Sequence, residues 1–563
     1  MKTILTTLNA KYIHTSLALR WLYVANKNHF DIDFIEYTLK EDVETIVQEL
    51  LDTHADVLGF SVSIWNVDRT EQIIKLLRER KSDLIIFVGG PEVTYEPEFF
   101  LAHWPIDYVI SGEGEFVLRE LLQALESHQT PDIEGVSSKQ KISHVVAQAD
   151  INQLVLLDSP YQLQRDRENL RHRMIYFETS RGCPYHCQYC LSSLEKGVRF
   201  FPQEYIEDNL RYFIESNARQ IKFLDRTFNL NKKHTHFVFD YLLKNHRPNL
   251  SCQFEVYADI LSEELIHYLN SNLPHNYFRF EIGIQSTYEP TNLAVQRKQD
   301  FDVLAHNVKL LIEADKIDLH LDLIAGLPYE SYDRFIQSFN DVFHLGAKEV
   351  QLGFLKLLRG TNLRKQADKY GYIYRKKAPY EVIANDSISN EELDCIRLAE
   401  FALDKLWNSG RFTRTMDKVF SKHYNKRYFE FFFAFGVYYQ KNNYPQFGYQ
   451  LEDLYRVVHE FLLSLNIDLF PSLRTDYYQN FNIRPHGFWE SEFTKQERKQ
   501  LHYLIGQDRD FLRQHKLSRK IVEKQINIDP IDDTTYLLTH FGVRKSNLNE
   551  HPTYIYQFKS EIE

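Results

Sequence analysis

Three of the chain's five cysteines, Cys183, Cys187 and Cys190, stand together in Thr179-Ser-Arg-Gly-Cys-Pro-Tyr-His-Cys-Gln-Tyr-Cys-Leu. Three thiolates on one tight loop can hold three irons of a four-iron cluster. No fourth cysteine lies nearby, so one iron is left for a non-protein ligand. Ferredoxin runs bring a fourth cysteine, and structural zinc sites close with a fourth Cys or His. His186 lies between two of the thiols and reads as a loop residue rather than a zinc ligand. A disulfide or a structural metal loop is the alternative, and the scarcity of cysteine in 563 residues weighs against it.

The elements that must hold this loop are legible on either side of it. Met174-Ile-Tyr-Phe-Glu is short, apolar and aromatic, as a buried strand is. Arg181-Gly182 and Pro184 break it, which puts the thiols at its C-terminal end. Five further strand-like runs follow, at 220–224, 252–257, 278–284, 319–324 and 349–355, separated by helical patterns. Six βα units predict a partial barrel over 173–365, whose chemistry gathers at the strand C-termini. The residues just past those strands are therefore the candidates: Asp225, Glu255 and Tyr257, Gln285 and Ser286, and Ile324 to Gly326. Asp225 could equally serve as a turn or N-cap residue, Gln285 and Ser286 could merely satisfy the loop backbone, and Cys252 reads as a buried small hydrophobe.

The C-x3-C-x2-C loop, with aromatic Tyr189 before its last cysteine, resembles the radical S-adenosylmethionine (SAM) family. Asp322-Leu-Ile-Ala-Gly-Leu-Pro and Leu358-Arg-Gly-Thr resemble that family's fifth and sixth strand ends, with Arg359 where proline is usual. The resemblance implies a [4Fe-4S] cluster on Cys183, Cys187 and Cys190, with SAM chelated by the open iron. It further implies SAM contacts at Tyr189, Asp225, Gln285, Ser286, Ile324 and Gly326, and an electron donor such as flavodoxin or ferredoxin.

Ahead of the barrel, residues 1–126 alternate strands and helices, which argues for a doubly wound parallel sheet with its ligand crevice outside the strand C-termini. Leu8-Asn-Ala-Lys-Tyr-Ile-His-Thr-Ser, Gly59-Phe-Ser-Val-Ser, Val88-Gly-Gly-Pro and Asp107-Tyr-Val-Ile-Ser-Gly-Glu-Gly-Glu resemble the cobalamin (B12)-binding domain that precedes many radical SAM barrels. That implies cobalamin contacts at Asn9, His14, Ser61, Ser63, Gly89, Gly90, Ser111 and Glu113. The usual Asp-x-His-x-x-Gly that supplies an axial histidine is missing from the first loop. Asp52-Thr-His54 is a near miss, and His54 reads as a helix-end residue.

Residues 127–172 are polar and weakly patterned, a linker with room for one short hairpin. Residues 366–563 read as a mainly helical, aromatic-rich domain of unknown role; Phe431-Phe-Phe-Ala-Phe reads as core, Lys418, Lys422, Lys426 and Arg427 as a solvated face, and Cys395 carries no assignment.

The formal charge of −11 gives no global basic field, so neither nucleic acid nor anionic lipid is indicated. No apolar run reaches the ~18–20 residues of a membrane span, the N-terminus is too short and polar for a signal peptide, and the cytoplasm is the expected compartment. Together these features predict a cobalamin-associated radical SAM enzyme that methylates or rearranges an unactivated carbon of an unknown substrate. Two readings stand beside it: a radical SAM enzyme without cobalamin, doing hydrogen abstraction or methylthiolation-type chemistry, and an iron-sulfur redox or RNA-associated binding protein without SAM turnover.

Overall fold

A computed structural model describes every residue except 168, 196, 482–486, 491–492, 542–552 and 559–563. The chain forms two compact units, Met1–Leu393 and Asp394–Glu563.

The first unit opens with strands Lys2–Asn9 (β1), Asp31–Thr38 (β2), Val57–Ser61 (β3), Ile85–Gly89 (β4) and Tyr108–Ile110 (β5). All five are parallel, and Val136–Ser138 (β6) adds an antiparallel edge, giving the order β2-β1-β3-β4-β5-β6. β1 lies between β2 and β3, so the chain reverses its direction of winding there and leaves a crevice at the C-terminal ends of β1 and β3. β3 and β4 are near-continuous apolar runs because helices cover both faces: Ile4, Leu8, Leu58, Phe60, Ile86 and Val88 sit in one core with Ile46, Ile73 and Leu77 of the flanking helices. The helix Val43–Asp52 is started by Asp42, whose carboxylate accepts from Thr45 N. It ends at His54, whose φ of 53° turns the chain toward β3.

The second sheet holds Met174–Phe177 (β7), Gln220–Phe223 (β8), Ser251–Glu255 (β9), Phe278–Gln285 (β10), Asp318–Ala325 (β11) and Glu349–Phe354 (β12), all parallel and paired in chain order. β7 and β12 remain edges, which makes this an open six-stranded barrel. Its outward residues are large and apolar. Phe223 stacks on Phe254 at 4.5 Å, and Phe239 of the helix Lys232–Lys244 packs against Phe254 and Phe278. Its inward residues are polar and paired with one another: Lys222 Nζ stands 2.9 Å from Glu281, Arg279 2.7 Å from Glu349, and His320 Nε2 3.0 Å from Asp322. Period-two alternation thus sends a phenylalanine face to the helices and a charged face to the barrel axis. Asn231, Asp300 and Ser331 cap the helices that follow strands β8, β10 and β11.

The second unit is mainly helical, with Thr413–Lys422, Tyr428–Lys441, Leu451–Ser464, Phe470–Asn480 and Lys495–Gln507. Phe431, Phe432 and Phe435 are buried there, as core residues. It also contains a three-stranded antiparallel sheet, Ile526–Pro530, Thr535–His540 and Thr553–Gln557, absent from the sequence reading. These strands alternate polar and apolar residues over short spans, and only Ile526, Ile528 and Leu538 meeting Ile505 and Val522 of nearby helices gives them a core. Among the described residues no helix is long and apolar enough to cross a membrane.

Candidate functional site

The cysteine loop begins where β7 ends. Ser180–Arg181 pairs antiparallel with Arg199–Phe200, and Gly182, at φ 92°, turns the chain into Cys183. A Cβ at Gly182 would lie 2.0 Å from the carbonyl oxygen of Gly197, so the turn needs glycine. Cys187 is buried, and Cys183 and Cys190 are partly exposed; all three are free thiols. They border one cavity of about 290 Å³ at the C-terminal edge of the barrel, together with Tyr185, Tyr189, Arg226, Glu255, Tyr257, Glu281, Gly283, Gln285, Arg297 and Asp322. Among the described residues no three His, Cys, Asp or Glu side chains converge on a point that would hold a single metal ion; the thiols face the cavity instead.

Arg297 organises one wall. It donates to Tyr189 OH at 3.3 Å, to the Gly283 carbonyl and to Gln299, lies 4.0 Å from Cys187 Sγ, and sits 4.7 Å over the Tyr257 ring. Tyr257 in turn stacks on Tyr185 at 4.2 Å. Burial pushes the Cys183 thiol up and drives the Tyr189 phenol upward as well, so Tyr189 stays neutral and holds its place as a hydrogen-bonding group. Gln285 adopts φ 69° where the register shifts between Gly283 and Gln285. Its buried Oε1 has no protein partner, and neither does the buried hydroxyl of Tyr257. A polar-lined cavity with orphaned acceptors, a buried guanidinium and three thiols suits a cluster together with a zwitterionic, hydroxyl-bearing ligand such as SAM.

Other candidate residues lie elsewhere. The Asp225 carboxylate accepts from Thr179 N at 3.0 Å, Thr179 Oγ1 at 2.7 Å and Ser180 Oγ at 2.6 Å, and His234 Nε2 meets Thr179 Oγ1 at 2.8 Å. Asp225 therefore fastens the strand end that launches the cysteine loop. Burial raises its pKa to about 6 and lowers that of His234 to about 4. Ser286 is fully buried and donates to Glu330 at 2.6 Å, on the far side of its loop. The Gly326 carbonyl accepts from Tyr372 OH and Asn385 Nδ2, and Ile324 is half-buried one strand from β12.

At the edge of the first sheet, Asn9 Nδ2 donates to the His14 carbonyl and to Glu36, and His14 Nδ1 stands 2.7 Å from Tyr176 OH of β7. The Ser61 carbonyl and Ser63 N are both taken by Asn66. Gly90, at φ 105°, packs so closely on Val62 that a Cβ would lie 2.6 Å from its carbonyl, whereas Gly89 meets only ordinary contacts. The Ser111 backbone pairs with Gly135 and Ala147, its buried hydroxyl has no protein partner, and Glu113 binds Arg181 and Arg199. Two large side chains missed by the sequence reading, Tyr12 and Trp65, remain 58% and 57% exposed just past β1 and β3. An aromatic-rimmed crevice with a glycine floor at the switch point suits a broad, flat ligand such as a corrin.

Sequence reasoning also passed over Arg297, Arg226 and Asp322. Arg297 lies in Ala294-Val-Gln-Arg-Lys-Gln-Asp, without a pattern that speaks for it. Asp322 was legible: strand alternation from Leu321 and Leu323, both buried outward, turns it inward.

Comparison with known proteins agrees with this geometry domain by domain. Residues 4–122 match the B12 binding domain, residues 177–342 the Radical SAM superfamily, and residues 368–556 a protein family of unknown function, DUF4080. The cobalamin-dependent radical SAM methyltransferase TokK of Streptomyces tokunonensis is 26% identical over 366 residues, covering 60% of this chain and 53% of TokK. The 2-(S-pantetheinyl)-carbapenam-3-carboxylate methyltransferase of Streptantibioticus cattleyicolor is 31% identical over 218 residues, covering 34% of this chain and 31% of that enzyme. The chain thus spans about half or less of the length of these relatives. Among solved structures, the cobalamin-dependent SAM radical enzyme OxsB with aqua-cobalamin bound superposes with a TM-score of 0.59 at 17% identity, over 85% of this chain and 81% of OxsB; that likeness speaks to the fold. The chain thus joins a B12 binding domain and a Radical SAM domain to a C-terminal DUF4080 region.

Proposed function

We propose that this protein is a cobalamin-associated radical SAM enzyme that methylates or rearranges an unactivated carbon centre. The observation that carries the reading is the single cavity at the barrel's C-terminal edge, where Cys183, Cys187 and Cys190 meet Arg297, Gln285 and Asp322. Cys183, Cys187 and Cys190 would hold a [4Fe-4S] cluster, which would supply reductive radical chemistry on SAM, while bound cobalamin would supply a transferable methyl group.

The chain's own residues then have distinct tasks. Arg297, held by Gln299, Tyr189 and the Gly283 carbonyl, directs its one remaining N–H at the carboxylate of SAM. Gln285 Oε1, the Asp322 carboxylate and Glu255 accept from the ribose hydroxyls and the ammonium group. The Tyr185–Tyr257 stack closes a flank of the cavity to water, which a radical reaction requires. Tyr12, Trp65 and Gly89, at the ends of β1, β3 and β4, would hold cobalamin. Asp225 and Ser286 position loops rather than touch SAM. An electron donor of the flavodoxin or ferredoxin type and a cytoplasmic location complete the reading.

The experiment is anaerobic purification with iron, sulfide and hydroxocobalamin, followed by cobalt analysis and assay of 5′-deoxyadenosine after reduction. Cobalt near one per chain together with 5′-deoxyadenosine supports the whole reading. 5′-Deoxyadenosine without retained cobalt leaves radical chemistry with a repurposed first domain, and the absence of both rejects the proposal.

A further inference from the structure

The buried arginines of this unit are spoken for. Arg20 pairs with Glu36 and Asp166, Arg181 with three glutamates, Arg297 with Tyr189 and Gly283, and Arg359 with Glu92 and Glu96. That is the expected pattern, since a guanidinium taken out of bulk water without a partner is costly. Arg226 is different, an exposed guanidinium whose accessible surface faces the cavity. It follows β8, lines the cavity with surface still open to the enclosed space, and makes no hydrogen bond or ion pair among the described residues. Its charged surroundings are Glu255, Cys190, Glu195 and Cys183, all near enough to act through space but none in contact.

The two cavity guanidiniums also stand by different thiols. Arg297 approaches Cys187, whereas Arg226 lies by Cys190 and Cys183. One open iron takes one SAM, whose carboxylate the Arg297 wall receives. That leaves a second, unengaged cation facing the same space, with donors arranged in the planar fork that matches an oxyanion.

We infer that Arg226 is the anchor for an anionic group of the substrate, a carboxylate or a phosphate, that enters the cavity beside SAM. The inference rests on the radical SAM reading above and deepens it by assigning the substrate class. A neutral or purely cationic substrate would leave the Arg226 fork facing the cavity without an acceptor.

The test is isothermal titration of inorganic phosphate and, separately, of acetate into the anaerobic, cluster-loaded, SAM-saturated full-length protein before reduction. Wild type is expected to bind at least one of the two anions, with phosphate preferred if the natural group is a phosphate and acetate if it is a carboxylate. Arg226→Gln should weaken that binding at least tenfold, and Arg226→Lys, which keeps the charge but loses the fork, should fall between the two. SAM affinity should stay within threefold in both variants. Equal titration of wild type and R226Q by both anions, no anion binding to wild type, or a tenfold loss of SAM affinity in R226Q would each overturn the inference; the last would assign Arg226 to SAM. Wild type is also reduced and assayed for 5′-deoxyadenosine. Failure there counts against the radical SAM reading itself, whatever the anions do.

Discussion

Arg181 Nη2 stands 2.8 Å from Glu115 Oε1, joining the residue two positions before Cys183 to the loop that leaves β5 of the other sheet. The same guanidinium reaches Glu113 at 2.8 Å and Glu178 at 2.7 Å. The crevice edge of the first domain and the root of the cysteine loop are thereby held as one piece. Burial pushes the Glu115 carboxyl up in spite of Arg181, which marks how dry this junction is. Replacing Arg181 with Met leaves Glu115 and Glu178 without their cation and Glu113 with Arg199 alone. The expected loss is about 3–5 kcal/mol of stability, read as a lower urea midpoint of the first cooperative transition of the anaerobic holoprotein. Glu115→Gln, which keeps shape and hydrogen bonding, should cost less than half of that.

Each cysteine of the loop should be indispensable to the cluster while the fold survives. Cys183→Ala, Cys187→Ala and Cys190→Ala are expected to drop iron from about four per chain to below one and to abolish 5′-deoxyadenosine formation. The far-ultraviolet spectrum should stay as in wild type. Cys252→Ala, at a buried site within β9, should retain full iron, and parity between Cys252→Ala and the other three would count against the assignment.

Arg297→Met should raise the Kd for SAM at least tenfold, because it removes the charge beside Cys187 and frees Tyr189 and the Gly283 carbonyl at once. Arg297→Lys should recover only part of that affinity, since a point charge cannot span three acceptors. Equilibrium dialysis with labelled SAM decides between these outcomes.

Asp225 and His234, both bonded to Thr179, give opposite pH dependences. The Asp225 carboxyl is raised to about 6 in the fold, so the folded state binds the extra proton and stability falls as pH rises through about 4 to 6. The His234 imidazole is held down at about 4, so the unfolded state binds the extra proton and stability is lost as pH falls from about 6.5. Each effect amounts to about 2–3 kcal/mol over its full window, and wild type should show a shallow net profile. Asp225→Asn should leave a urea midpoint that rises from pH 5 to pH 7. His234→Gln should leave one that falls, and unchanged slopes in both variants would contradict the pairing.

The chain order of strands, the place of the cysteine loop and the two-domain character of residues 1–365 were written in local sequence. Apolar runs of strand length, caps such as Asn231 and Asp300, and breaks such as Gly182-Cys-Pro act over a few residues, so one-dimensional reading finds them. The sheet at 526–557 escaped because its short strands gain a core only from helices brought to them. The roles of individual side chains escaped for a related reason. Asp225 carries the carboxylate expected of a ligand contact, yet Thr179 and Ser180, more than forty residues away in sequence, claim it. Glu113 sits in a glycine-rich loop that reads as a binding edge, yet Arg181 and Arg199 close on it. Arg297 and Arg226 follow strands that converge on the cysteines only when the barrel curls. Residue type and spacing determined which chemistry this chain carries. Which side chain faces the open iron was decided by the curvature of the sheet and the pairing of buried charges, and these depend on neighbours far apart along the chain.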